Sequence, residues 1–235
     1  MPQGLKEIFA EVAPTYERVN RVLTLGFERR WRRKAVRWAV EGGGRRWLDV
    51  CSGTGETAEA LVRRAPAGTT VLAADFCAPM LAGIADKNDS RASGVKAILP
   101  VLADVRRLPF PDESLDLITL SFATRNLNLS RDVLTSTFRE FLRVLAPGGR
   151  FVNVETSQPR SRLVRAIFHL YVKIFVKPVG FRISKSMAGY AYLATSIPRF
   201  YDAETLAEIL RDAGFSEVAK KRLLFGAVAI HRSFK

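Results

Sequence analysis

Only two cysteines, Cys51 and Cys77, occur in this 235-residue chain, too few for a disulfide framework. Histidine is as scarce, with His169 and His231 alone, so no Cys/His spacing for a metal site exists. No run of about 20 apolar residues is present, which excludes a membrane-spanning helix. The first ten residues lack a continuous apolar core, so no signal peptide is expected. Internal repeats and low-complexity tracts are absent. The cytoplasm, or the membrane face toward it, is the expected location. Acidic residues are the minority charge: 23 Asp and Glu stand against 37 Lys and Arg, a net +14. That balance favours an anionic surface, either nucleic acid or anionic lipid, with simple solubility as the plainer account. Hydrophobic residues at 48 % and charged residues at 26 % mark an ordinary globular chain. Its length suits one α/β domain with a sizeable core.

The rest is organised around residues 47–56, WLDVCSGTGE. They read as a short buried strand, a tight glycine turn and the start of a helix. Asp49 stands at the strand end. Gly53 and Gly55 let the backbone pass close to a ligand with no Cβ in the way. A second strand over 70–74 ends in Asp75. A glycine turn followed at this distance by an acid outlines a nucleoside-binding βαβ unit, the acid taking ribose hydroxyls. Gly53, Gly55 and Ala58 also satisfy the relaxed dinucleotide fingerprint, so the turn alone does not name the cofactor.

The following residues narrow it. A third strand is expected over 102–105, ending near Asp104 and Val105, and a fourth over 117–122 after LPFPDESLD. A helix over 132–144, a turn over 145–150 and a fifth strand over 151–155 follow. This succession resembles the class I S-adenosylmethionine methyltransferases: a Rossmann-like α/β fold, mostly parallel, seven-stranded, with an antiparallel C-terminal strand and helices on both faces.

Four stretches organise one domain. Residues 1–44 form a helical cap, with Pro14 breaking the first helix and a basic second helix holding Trp31 and Trp38 inward. Gly42, Gly43 and Gly44 read as a flexible joint. Residues 45–159 are the cofactor-binding core, in which a helix begins near Pro79 with Met80 and Leu81 toward the adenine side, and a polar loop spans 88–94. Residues 160–197 are a helical insertion over the substrate side. There Leu163, Val164, Ile167, Phe168, Leu170, Tyr171, Ile174 and Phe175 form an apolar stripe flanked by Arg160, Arg162, Arg165, Lys173 and Lys177, ended by Pro178. Residues 198–235 supply a helix and a closing pair of strands around Gly226.

Four segments resemble the ubiquinone/menaquinone biosynthesis C-methyltransferase family. They are Phe9 through Asn20 with Gly26, Trp31 and Arg32; the run SFATRN at 121–126; VETSQP at 154–159; and YAYLATSI at 190–197. The resemblance covers nearly the whole chain. Cys51 and Ser52 replace the Ala-Gly frequent before the glycine turn, and Ala123-Thr124 replaces Gly-Leu before Arg-Asn. The second departure bears on ring specificity.

The resemblance implies S-adenosylmethionine as cofactor and no metal. It implies methyl transfer to a ring carbon of a reduced isoprenoid quinol, demethylmenaquinol first and the ubiquinone-pathway 2-methoxy-6-polyprenyl-1,4-benzoquinol as the alternative. It also implies that Asp104 and Val105 contact adenine and that Thr54 and Ser121 line the cofactor. Thr54 can equally cap the following helix. One carboxylate suits a vicinal diol, so Asp75 takes the ribose. Asp49, Gly53 and Gly55 complete the cofactor set. Arg125 and Asn126, just past the fourth strand, are the catalytic candidates: Arg125 for developing phenolate charge, Asn126 for a quinol oxygen, with Tyr16 closing from the cap. The plain alternative is that Arg125 pairs with Glu155. His169 and His231 read as structural. A nucleic-acid methyltransferase lacks support, since 121–124 reads SFAT where exocyclic-amine methylases carry a Pro-Pro segment. A non-catalytic scaffold is disfavoured by the retained Gly53, Gly55, Asp75 and Asp104. Peripheral contact of the basic, apolar insertion, together with the basic helix around Trp31, with membrane and isoprenoid tail is expected, the alternative being that the stripe packs on the fifth strand and the sheet edge as core. Homo-oligomerisation is left open.

Overall fold

Seven strands carry the buried runs of the sequence in one sheet, ordered β3-β2-β1-β4-β5-β7-β6. The computed structural model describes residues 3–89 and 97–235, so most of the polar loop expected over 88–94 lies outside the described residues. The strands are β1 (Arg46–Val50), β2 (Thr70–Asp75), β3 (Ile98–Leu102), β4 (Leu115–Ser121), β5 (Leu145–Thr156), β6 (Ser216–Leu223) and β7 (Val228–Phe234). β1 to β5 pair in parallel, and β7 runs antiparallel to both β5 and β6. This is the expected class, with one reversed strand at the C-terminus. Parallel strands covered on both faces need apolar side chains throughout. In β1 Trp47, Leu48 and Val50 are all fully buried.

The helices are α1 (Gln3–Val12), α2 (Tyr16–Leu23), α3 (Phe27–Val40), α4 (Glu56–Val62), α5 (Ala78–Asp89), α6 (Thr124–Leu127), α7 (Arg131–Val144), α8 (Arg162–Tyr171), α9 (Lys177–Ser184), α10 (Met187–Arg199) and α11 (Ala203–Asp212). Residues of α3, α4 and α5 pack one face of the sheet, around Trp31, Leu61 and Ile84. Those of α7 and α11 pack the other, around Phe138, Phe141 and Ile209. Ser130 and Asp202 cap α7 and α11, accepting from the Val133 and Thr205 amides. A third, smaller cluster joins Val12 and Val19 of the cap to Cys77, Met80 and Tyr190.

Three expectations are corrected. The 145–150 turn lies within β5, entered through a register shift against Leu115 and Leu117. β3 ends at Leu102 opposite Asp75, so Asp104 sits in the loop beyond it. Pro178 does not end the insertion helix. A π turn over Val172–Val176 widens the backbone just ahead of it, and the helical path continues through Pro178 into α9.

The glycine run before β1 is also no loose joint. The buried Arg150 guanidinium lies against it, donating to the carbonyl of Ala39 and, at 2.6 Å, to that of Gly43. A Cβ at Gly42 would stand 2.9 Å from that guanidinium. Arg150 thus ties the C-terminal end of α3 to β5, and burial lowers its pKa to about 10.

Candidate active site

β1 and β4 are neighbours, yet the chain leaves them in opposite directions, to β2 on one side and β5 on the other. The crevice between their carboxyl ends is where open α/β sheets bind ligands. Backbone strain collects there. Cys51 and Phe122, the residues after the two strands, adopt positive φ of 50° and 58°, a conformation that side chains other than Gly seldom take. Gly53 and Gly55 follow with φ of 55° and 82°. A Cβ on Gly55 would lie 2.8 Å from Ile84, whereas a Cβ on Gly53 would meet nothing within 4 Å. One glycine lets α5 approach; the other leaves the cleft floor open.

Asp75 ends β2 beside this turn. Its two carboxylate oxygens accept from the Gly53 and Cys77 amides, each at 2.9 Å. Burial raises its pKa against the pull of these amides. Each oxygen keeps acceptor capacity toward the cleft. The cleft is lined by Cys51, Gly53 and Asp75 below and by Phe9, Tyr16, Phe76 and Met80 around, with Ala123 and Asn126 at one side. Among the described residues its lining contains no Lys or Arg. One carboxylate without a cation suits a diol and a positively charged ligand and opposes a phosphate. The adenosyl sulfonium of S-adenosylmethionine fits this donor set; a pyrophosphate does not.

A second cleft adjoins the first and shares Phe9, Tyr16 and Asn126 with it. Its polar side holds Asn20, Arg125 and Tyr192, and its apolar side Ile8, Val12 and Leu193. Arg125 is nearly buried. Its Nη1 donates to Glu155 Oε1 at 2.8 Å and to the Phe122 carbonyl at 3.0 Å, while Nε has no hydrogen-bond partner. The parallel pairing of β4 with β5 sets Ser121 opposite Val154 and so brings the two segments to one edge. The ion pair weighed from sequence is formed, and Arg125 still lines the cleft. Asn126 is buried with its Oδ1 unpartnered.

The fold therefore gathers Gly53, Asp75, Tyr16, Arg125 and Asn126 around the two clefts. Other candidates stand outside the lining. Asp49 lies beneath the turn, where Thr119 donates to it at 2.6 Å and burial pushes its pKa to about 7. Ser121 Oγ accepts from Thr57 at 2.9 Å. Arg106 holds Asp104 at a pKa of about 2 through a two-toothed pair, and Val105 is buried next to it. Thr54 does not cap α4, whose N-cap is Gly55; its hydroxyl donates to Glu17 at 2.7 Å. His231 is buried, bonded to the Ala203 carbonyl, and burial lowers its pKa to about 4. His169 meets Gln158 at 2.7 Å. Neither histidine lines a cleft. Phe9, Phe76 and Tyr192 were not singled out for the site, since aromatic residues at helical spacing look like core.

The strand order, the single reversed strand and the glycine turn facing a buried acid define a class I methyltransferase fold. Solved structures share it: a SAM-dependent methyltransferase of Thermotoga maritima aligns with a TM-score of 0.67 at 19 % identity, covering 97 % of this chain and 99 % of that one. The chain belongs to the ubiE/COQ5 methyltransferase family, whose model matches residues 2–235. It is 39 % identical to a demethylmenaquinone methyltransferase of Thermus thermophilus, over 95 % of this chain and 98 % of the relative. It is 35 % identical to a ubiquinone/menaquinone biosynthesis C-methyltransferase of Geobacter sulfurreducens, over 99 % and 89 %.

Proposed function

We propose that this protein methylates a ring carbon of a reduced isoprenoid quinol, demethylmenaquinol first among substrates, with the ubiquinone-pathway benzoquinol as the alternative. The observation that carries the proposal is the pair of adjoining clefts: one anionic and cation-free, the other polar at one side and apolar at the other, meeting at Tyr16 and Asn126. Bound in the first cleft, S-adenosylmethionine supplies an electrophilic methyl group on a sulfonium. Asp75 holds the ribose hydroxyls and Gly53 lets the ligand lie against the backbone. Asp49 supports the turn from beneath, and Thr54, Gly55 and Ser121 shape it. Asp104 and Val105, in the loop beyond β3, are the residues this reading assigns to adenine.

A quinol ring becomes a carbon nucleophile as a phenol proton leaves, and the enzyme must hold the ring and stabilise the oxygen. Arg125 presents its remaining donors to that oxygen, while Glu155 and the Phe122 carbonyl hold the guanidinium in one orientation. Asn126 Oδ1, buried without a partner, accepts from a quinol hydroxyl. An oxidised quinone has no hydroxyl to donate, so this acceptor favours the reduced ring. Tyr16 closes over both clefts. Ile8, Val12 and Leu193 offer the apolar side along which an isoprenoid tail can leave.

Such a tail lives in membrane. Every residue of α8 retains solvent contact. Leu163 is 71 % exposed and Ile167, Leu170, Ile174 and Phe175 are open beside it, while Val164, Phe168 and Tyr171 are half-buried, so one part of the stripe packs and the other faces outward. Tyr171 donates to the Leu23 carbonyl and joins this band to the exposed Val22, Leu25 and Phe27. Among the described residues no helix is long and apolar enough to cross a membrane. We therefore place the protein at an anionic membrane face, docked reversibly through this band and the Arg and Lys beside it.

Incubation with S-adenosylmethionine and a panel of demethylated quinols and quinones, with products identified by mass, tests the proposal. A product heavier by one methyl from the reduced forms only is expected. Methylation of the oxidised forms, or of none, would overturn it.

A further inference from the structure

The cofactor cleft has a roof, and among the described residues a polar junction ties the roof to the floor. Phe9 of α1 and Tyr16 of α2 cover the cleft, with Phe9 edge-on to both Tyr16 and Phe76. The residue after Tyr16 is Glu17. Its Oε1 accepts from Thr54 Oγ1 and from Lys87 Nζ, each at 2.7 Å, and Lys87 also donates to the Thr54 carbonyl at 2.8 Å. Thr54 stands between Gly53 and Gly55, the two glycines of the turn. One carboxylate thus joins the cap, the glycine turn and α5.

This is no exposed surface pair of negligible worth. The Glu17 and Lys87 side chains are 31 % and 24 % exposed, and both take part in more than one bond. Burial pushes Glu17 up, but the bonds from Lys87 and Thr54 with the charges of Lys87 and Arg32 outweigh it, and its pKa is lowered. The carboxylate is the form the junction stabilises. The rest of the roof is held by apolar packing, in which Val12 and Val19 meet Cys77, Met80 and Tyr190, and by hydrogen bonds to the insertion, from Ser186 to Glu11 at 3.1 Å and from Tyr171 to the Leu23 carbonyl. Such packing keeps the cap folded when the junction opens, so the roof can tilt without unfolding.

We infer that Glu17, Thr54 and Lys87 form the latch of a gate over the cofactor cleft, with Glu17 as a positioning residue that sets how fast the cofactor enters and leaves. The inference rests on the cofactor assignment above. A ligand held at Asp75 and Gly53 lies under Phe9 and Tyr16, so it passes only when α1 and α2 lift. Tyr16 lines the second cleft as well. Closing the latch over bound cofactor therefore also completes the quinol cleft, which orders binding: cofactor first, quinol second.

Two variants test it, Glu17→Gln and Lys87→Met, each made in the full chain. The rates of S-adenosylmethionine association and dissociation are measured by stopped flow. Amide exchange is followed in α1 and α2 of cofactor-free protein, with β4 and β5 as reference. A gate predicts that both rates rise, dissociation by about ten-fold for loss of a charge-assisted bond, so affinity changes less than either rate. Exchange in α1 and α2 should quicken while β4 and β5 stay protected. Faster dissociation with unchanged association would mean an ordinary lost contact and would overturn the gate. So would unchanged exchange in α1 and α2, or exchange quickened equally throughout the sheet. If wild-type protein binds no S-adenosylmethionine, the cofactor assignment falls, and the exchange comparison still decides the latch.

Discussion

At the scale of the residue, the proposed site assigns binding to Asp75 and turnover to Arg125, and the two can be tested apart. Asp75→Ala removes charge-assisted bonds to two hydroxyls, so cofactor affinity should fall by about 2–3 kcal/mol in calorimetry. Unchanged affinity would remove Asp75 from the site. Arg125→Ala should leave cofactor binding intact and lower turnover by roughly 100-fold. Full turnover per folded molecule with reduced stability would leave only the Glu155 pair as its role. Two buried groups also make stability depend on pH, with opposite signs. The His231 pKa falls from an ordinary 6.5 to about 4. Between these values the unfolded chain binds a proton that the folded one refuses, so stability is lost as pH drops, by about 3 kcal/mol at most. Asp49 is raised from 3.8 to about 7. There the folded state takes the proton first, and stability is gained as pH drops through that window. The two offset each other in the wild type. Urea midpoints of Asp49→Asn should therefore fall toward acid relative to wild type, and those of His231→Gln should rise. Profiles parallel to wild type would show that neither group is linked to folding.

At the scale of the element, the insertion is built on close approach. Gly180 of α9 faces the Tyr190 ring of α10, and a Cβ there would stand 2.1 Å from it. Tyr190 is buried and lines the second cleft. Gly180→Ala should destabilise the α9–α10 contact by about 1–3 kcal/mol, as overpacking does. It should also raise KM for quinol more than KM for cofactor, because Asp75 and Gly53 lie in the core. Equal change in both would mean that the insertion does not shape the quinol cleft. The π turn belongs to this scale too. It lets one helical path run past Pro178.

At the scale of the molecule, charge and apolar surface act together. Near an anionic membrane each basic residue contributes about 1 kcal/mol, so the four flanking α8 and the π turn suffice for reversible docking. In liposome flotation the wild type should rise with anionic vesicles and remain below with neutral ones. Changing Arg162, Arg165, Lys173 and Lys177 to Gln should abolish the difference. Equal recovery in all four conditions, with activity on a long-tailed quinol retained, would exclude the docking face.

The reversed final strand was implied by the family resemblance, whereas the sequence by itself determined most of the parallel core strands, the glycine turn and the acid at the end of β2. These follow from local rules: apolar runs of strand length, glycine where φ is positive, an acid at a strand end. Trp31 and Trp38 were legible as inward-facing from the same periodicity. Tertiary structure alone decided which side chains share a cleft. Asp49, Thr54 and Ser121 lie in the right segments, yet each bonds to a group 37 to 70 residues away, a separation that spacing along the chain does not encode. It decided equally that Gly42 serves a buried arginine, not a loose joint, and which residues of the insertion's apolar stripe face outward. Local periodicity marks an apolar face, but what covers that face depends on where the other elements end.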